Sequence, residues 1–292
     1  MPVSTWAVAE PEKLTFEEPV TALKVRIVNG AVNVVATEEP TARLEISGIE
    51  GPPLVVTQDN GTLTVAYEDL PWKGLLRWLD PMNRNRRAVV SLAVPAGATV
   101  EVGVVGAAAV VSGIRGRTEL RGITGDITLV GLSGAVRGET VSGNLEAQAV
   151  IGALRFQSVS GDLTVVDGTG SSVRAESVSG GMMLDLAPSS SPENPTDLRL
   201  TSVSGEIAIR LPHPADAKVE ANTTSGAVSN AFEDLRVSGQ WGAKKIKGTL
   251  GAGTGTLKAT TVSGSIALLR RPPAEDGPHD GPYDAEPTGK VL

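Results

Sequence analysis

Glycine recurs in this chain at an interval too regular for ordinary loops. Gly125, Gly134, Gly143, Gly152 and Gly161 are nine residues apart, and the series continues at Gly180, Gly205, Gly226, Gly239 and Gly264 with intervals of 19, 25, 21, 13 and 25. Two residues before and two after each of these ten glycines the side chain is apolar at nineteen of the twenty positions, Thr224 being the exception. Alternation with period two on both sides of a fixed backbone feature predicts strands. Parity kept across the glycine places it and both apolar flanks on one inward face. The residue after the glycine varies freely (Asp126, Ala135, Asn144, Glu206). That variety argues against a three-residue hairpin loop, which makes its third position left-handed.

The chain is therefore expected to bend at each glycine and continue around a coil. Nine extended residues span roughly 30 Å, and two such units give an 18-residue turn, the scale of a β-solenoid rung, with rungs ~4.8 Å apart. Longer intervals read as rungs carrying loops, such as "APSSSPENPTD" from Ala187 to Asp197. The expected fold class is all-β, a parallel β-solenoid or β-helix-like stack with an antiparallel N-terminal part. The alternative is an antiparallel β-sandwich.

The N-terminal part differs. "ALKVRIVNGAVNVVA" sets Asn29-Gly30 between two alternating runs, and a two-residue turn there would place Ile27 across from Val32 and Val25 across from Val34. Gly30 also has Val28 and Val32 two residues to either side, so it reads alternatively as an early, drifted repeat. "LVVTQDNGTLTVAY" repeats the hairpin signal at Asn60-Gly61. The expected organisation is an N-terminal extension over 1–14, one β-repeat domain over 15–270 with a helical insertion at 71–87, and a disordered Pro- and Gly-rich tail over 271–292. In the insertion, Trp72, Leu75, Leu76 and Leu79 have helical spacing, and its five cations against Asp80 give a local charge of +4. Trp72, Arg77, Trp78, Arg84, Arg86 and Arg87 are the candidate partner-binding residues, for a protein or a membrane surface. The plainer reading is an amphipathic cap over an open solenoid end.

Little else carries chemistry. The chain has no Cys, which excludes disulfides and thiolate metal sites. A net charge of −7 argues against nucleic acid as a partner. Aromatics are 3% of the residues, which counts against stacking on sugars. The N-terminus shows no basic and apolar leader, and no run of ~18 apolar residues occurs. The expected location is cytoplasmic, with the cell surface by an unrecognised export route as the alternative. His213 and His279 lack partners at ligand spacing. No G-x-S-x-G elbow frames the repeated serines. The run Gly248–Lys258 misses the phosphate-loop spacing. Asp126, Asp162 and Glu206 would form an acidic row if rungs stacked in register, but equivalent positions hold Ala, Asn, Gly and Ser. No catalytic, cofactor or metal residues are expected.

The segments "TVSGNL", "SVSGDL" and "SVSGEI" resemble the bacterial putative-adhesin family of β-strand-repeat proteins, a domain of unknown function of actinobacterial type. "VPAGATVEV" from Val94, "LPHPADAKVEANTTSGAV" from Leu211 and "GTLGAGTGTLKATTVSGSIALL" from Gly248 fit the same family, so the resemblance spans about residues 15 to 270. It implies architecture and transfers no catalytic or ligand residues. Bactofilin-like cytoskeletal solenoids, which polymerise end to end, are a more distant analogy. The expected function is a non-enzymatic scaffold or binding module with a protein partner or self-association. The alternative is a cell-surface adhesin or glycan-binding protein. A polysaccharide-acting solenoid enzyme ranks third.

Overall fold

The computed structural model describes residues 3–67, 85–169, 172–188, 195–240 and 242–272. Among them there is no helix; the strands form one 14-stranded and one 12-stranded sheet, A and B. The central run of sheet A is β9 (Thr99–Val104), β11 (Thr118–Gly122), β13 (Val136–Thr140), β15 (Leu154–Ser158), β17 (Ser172–Ser177) and β19 (Asp197–Ser202). Alternating with these along the chain, sheet B holds β10 (Ala108–Ser112), β12 (Ile127–Val130), β14 (Leu145–Gln148), β16 (Leu163–Gly168), β18 (Met182–Leu186) and β20 (Ile207–Leu211). All these pairings are parallel. Val100 lies beside Thr118, Thr118 beside Val136 and Val136 beside Leu154, a step of 18 residues. The expected solenoid rung is therefore what the chain forms. Inward residues such as Leu154, Phe156, Leu163 and Val165 stack between the two sheets and are almost fully buried.

The nine-residue glycine interval resolves into two corner columns, each with an 18-residue period. A Cβ on Gly143, Gly161, Gly180 or Gly205 would lie 1.9–2.1 Å from the carbonyl oxygen of the preceding corner glycine. Gly116, Gly134 and Gly152 form the opposite column, with the same 1.9–2.1 Å clash against Ala98, Gly116 and Gly134. Glycine is required because the next rung's backbone occupies the Cβ position. Gly239 belongs to neither column.

The expected parity holds throughout one corner column but in the other is kept at Gly125, between buried Ile123 and Ile127, and lost further on. Around Gly134 and Gly152 the preceding Leu132 and Val150 are buried. At the other corner Val141, Val159, Val178, Val203 and Val262 are 47–50% exposed, although Leu145, Leu163, Met182, Ile207 and Ile266 after the glycine are buried. The reason is a side-chain turn. The inward place is taken by the residue three before the glycine, whose hydroxyl accepts the glycine N–H: Ser158 at 2.7 Å, Ser177 at 2.8 Å and Ser202 at 2.8 Å. Such a turn shifts the alternation by one and pushes the valine outward.

Both ends depart from the simple coil. In sheet A, β3 (Ala22–Ile27) runs parallel to both β9 and β7 (Thr62–Ala66). In sheet B, β4 (Asn29–Thr37) runs parallel to both β10 and β8 (Arg87–Pro95). Asn29-Gly30 is thus no hairpin. Gly30 has φ 114°, and a Cβ there would meet the Ala88 oxygen at 2.0 Å, so it is a drifted corner glycine. The hairpin at Asn60-Gly61 does form, joining β6 (Leu54–Asp59) to β7 with φ of 46° and 75°. Antiparallel strands then close this end: β1 (Ser4–Val8) on β6, and β2 (Glu12–Thr15) on β5 (Arg43–Glu50), with Trp6 edge-on to Phe16 at 5.4 Å.

At the other end the chain skips a rung and returns to fill it. β21 (Ala217–Thr223) and β22 (Val228–Asn230) lie one place beyond β19 and β20. The gap is filled later by β25 (Gly255–Thr261) and β26 (Ile266–Arg270), parallel to strands on both sides. β24 (Ala243–Leu250) and β23 (Leu235–Gln240) finish sheet A antiparallel. The helix expected over 71–87 lies outside the described residues except for 85–87, as do the tail beyond residue 272 and residues 189–194 of the Ala187–Asp197 loop.

Candidate binding face

The repeated serines and acids are structural. Ser160 Oγ donates to the Val141 carbonyl at 3.3 Å, and Ser179 and Ser204 repeat the bond one rung further on. Asp126 accepts the Asn144 N–H at 2.9 Å, Asn144 accepts the Asp162 N–H at 3.0 Å, and Asp162 accepts the Gly181 N–H at 2.7 Å. The carboxylates thus splice one rung to the next rather than converge on a substrate. Among the described residues no three His, Asp or Glu side chains are grouped to hold a metal.

The Gly-rich run closes on a carboxylate from outside it. Asp216 Oδ1 accepts N–H bonds from Gly253 (2.5 Å) and Thr254 (3.0 Å), and its Oδ2 accepts the Thr254 hydroxyl at 2.6 Å. These bonds, the Thr254 hydroxyl foremost, hold the Asp216 carboxyl below the ordinary aspartate range.

The outer face of sheet A has a more directed character. Parallel register aligns Arg137, Arg155, Arg174, Arg199 and Lys258 in one row across five successive strands. Beyond Glu220 the row continues through Lys247 and Arg236. The strands that carry neighbouring cations are about 4.8 Å apart along the stack. Arg137 is engaged by Glu139 at 2.7 Å and Arg174 by Asp197 at 3.3 Å. Arg155 and Arg199 are exposed and have no side-chain partner among the described residues. The next row over is mostly uncharged and polar toward the C-terminal end: Gln157, Glu176, Thr201, Thr260, Asn222. It leads into a shallow cleft of about 550 Å³ lined by Asn222, Thr224, Ser238, Lys244, Lys245 and Thr260. Lys245 sits 2.6 Å from Glu220, and that bond and charge hold the Glu220 carboxyl below its usual range. The face can offer cations at regular spacing beside hydroxyl and amide groups. Among the described residues no three His, Asp or Glu side chains gather on it.

Sequence reading missed these residues, yet they had a signature. Arg137, Arg155, Arg174, Arg199 and Lys258 each stand six residues before a corner glycine (Gly143, Gly161, Gly180, Gly205, Gly264). Of the residues singled out in the insertion, Trp72, Arg77, Trp78 and Arg84 lie outside the described residues. Arg86 places its guanidinium 5.2 Å from the centre of the Tyr67 ring, and its carbonyl accepts both the backbone and the side-chain N–H of Asn29 at 3.2 Å. Burial pushes the Tyr67 hydroxyl up to about 12, against a smaller opposing pull from Arg86. Arg87 lines a separate cleft of about 620 Å³ with Asn29, Gly30, Glu50, Asn85 and Gly106, at the opposite end of the stack from the cationic row.

A capped, two-sheeted parallel β-stack with ladder-forming corners defines a class of bacterial repeat protein. The chain belongs to the Toastrack DUF4097 family, whose model matches residues 20–269. No curated protein matches it. Among solved structures it is similar to a "putative adhesin" of Parabacteroides merdae ATCC 43184, at 9% identity and a TM-score of 0.39, over 91% of this chain and 96% of that one. A "putative lipid binding protein" of Parabacteroides distasonis ATCC 8503 matches at 10% identity and a TM-score of 0.37, over 91% and 98%. A "putative cell adhesion protein" of Clostridium sporogenes ATCC 15579 matches at 10% identity and a TM-score of 0.25, over 90% and 100%.

Proposed function

We propose that the chain is a non-enzymatic binding protein of the adhesin type, and that it takes an extended, negatively charged glycan along the outer face of sheet A. The observation that carries this reading is the cationic row from Arg137 to Lys258, one cation per strand, in a protein whose net charge is −7. Surface cations interleaved with acids are the usual outcome of a soluble β surface. A run of one sign is a field that attracts an oppositely charged polymer. The polar cleft at the end of the row adds hydroxyl, amide and ammonium groups suited to sugar hydroxyls and carboxylates. With few aromatics, such binding rests on charge and hydrogen bonds and is salt-sensitive.

The test is retention on immobilised polygalacturonate against neutral dextran. The wild type should be retained on the acidic polymer at low salt and released as salt rises. The double variant Arg199→Glu/Lys258→Glu should bind about tenfold more weakly, a difference of ~1.4 kcal/mol. Equal retention of this variant, or equal binding to dextran, overturns the reading.

A further inference from the structure

The two outer faces of this solenoid are built from the same repeat yet differ in charge. On sheet B, from β8 to β26, two rows of outward residues run the length of the stack. They include Val35, Val110, Val130, Val166, Met183 and Leu269, and of these Met183 is 58% exposed, Val35 43%, Leu269 42% and Val110 38%. Between β8 and β26 the ionisable members of the two rows are Glu146, Asp185 and Arg210; Asp185 pairs with Arg210 at 3.3 Å and with Arg271, which also reaches Asp167, and beyond β8 the same rows meet Glu45, Arg43 and Lys13. The corresponding rows of sheet A carry a charge on most strands. An 18-residue repeat would tolerate charge equally on either outward face, so its near-absence along one face points to something that covers it.

We infer that a second copy of this chain covers the outer face of sheet B, giving a face-to-face dimer. Three features select that occupant. The face is almost electrically neutral, so two copies meet without the repulsion that opposed cationic rows of sheet A would suffer. The N-terminal end of both sheets and the C-terminal end of sheet A finish in antiparallel strands, and sheet B ends on the short parallel strand β22, so most of the end surface is closed and association is directed sideways. Nine strands at ~4.8 Å, counting about four to five residues of each, give a face of roughly 650 Å² per copy. Two such faces total about 1,300 Å², inside the ~1,200–2,000 Å² of specific protein interfaces. The same patch meeting itself is the isologous arrangement of two-fold dimers.

The test uses the full chain in size-exclusion chromatography with light scattering at about 50 μM. A mass near twice 30.0 kDa is expected. Met183→Glu/Val110→Glu, at positions already exposed, should keep the wild-type circular dichroism spectrum and weaken the dimer at least tenfold. Thr201→Lys, on the outer face of sheet A, should leave the mass unchanged. A wild-type mass of 30 kDa at 100 μM overturns the inference. So does a dimer that survives the sheet B charges or is lost with Thr201→Lys.

Discussion

Ser158, Val159, Ser160 and Gly161 show how one corner divides its roles among neighbours. Ser158 turns inward and its hydroxyl accepts the Gly161 N–H; Val159 points out; Ser160 binds the previous rung from outside. Gly161 has no room for a side chain, since a Cβ would sit 2.0 Å from the Gly143 oxygen, and Gly143 is held in the same way against Gly125. The clash therefore meets backbone that is itself pinned. Gly161→Ala should cost about 3 kcal/mol or more. Ser158→Ala strands a largely buried N–H and should cost about 1–2 kcal/mol. Ser160→Ala removes only an exposed hydroxyl and should cost about 0.5 kcal/mol. Urea unfolding of the three variants checks the order; a Ser160→Ala loss equal to that of Gly161→Ala would sink this account of the corner. The sequence shows why the glycine is there but hides the valine's direction. Strict alternation carried across the corner puts Val159 inside, and only the hydroxyl three residues before the glycine reveals that one step of the alternation is lost.

Among the elements, the loop between β24 and β25 depends on a single carboxylate. Asp216 is the hub for Gly253 and Thr254, and its proton affinity is lowered by those bonds. Because the folded-state value lies below the ordinary one near 3.8, the contribution is complete above that pH and is lost as pH falls through the lowered value. Asp216→Ala should melt a few degrees below the wild type at pH 7, and the gap should close as the pH falls below the ordinary aspartate value and through the lowered one. A gap that persists unchanged at low pH would show that the bonds are not made by the ionised carboxylate. Element positions were legible wherever they follow the glycine period, since the 18-residue rung is a multiple of the nine-residue interval. Gly30 misled in one respect: Asn-Gly between alternating runs has hairpin chemistry, but β3 and β4 find better partners in two different sheets. The cationic row was present in the sequence as a fixed offset of six residues from the glycine. It stayed hidden because single charges on alternating strands look like ordinary solvated faces until register lines them up.

For the whole molecule, the face-to-face dimer would carry its two sheet A faces on opposite sides, directed away from each other. A particle with two such faces can bridge two anionic surfaces, and the second contact gains from the first. Beads coated with polygalacturonate should clump with the wild type. Met183→Glu/Val110→Glu should coat single beads without clumping them; clumping by this variant would place the second contact elsewhere. The interleaved end of the stack has a different consequence, in the order of synthesis. β21 and β22 leave the ribosome before β25 and β26, yet in the finished fold they stand one rung further out. Growth of the stack therefore cannot follow the order of the chain at its last step: the final strand pair has to come to lie between β19 and β20 on one side and the pair made before it on the other.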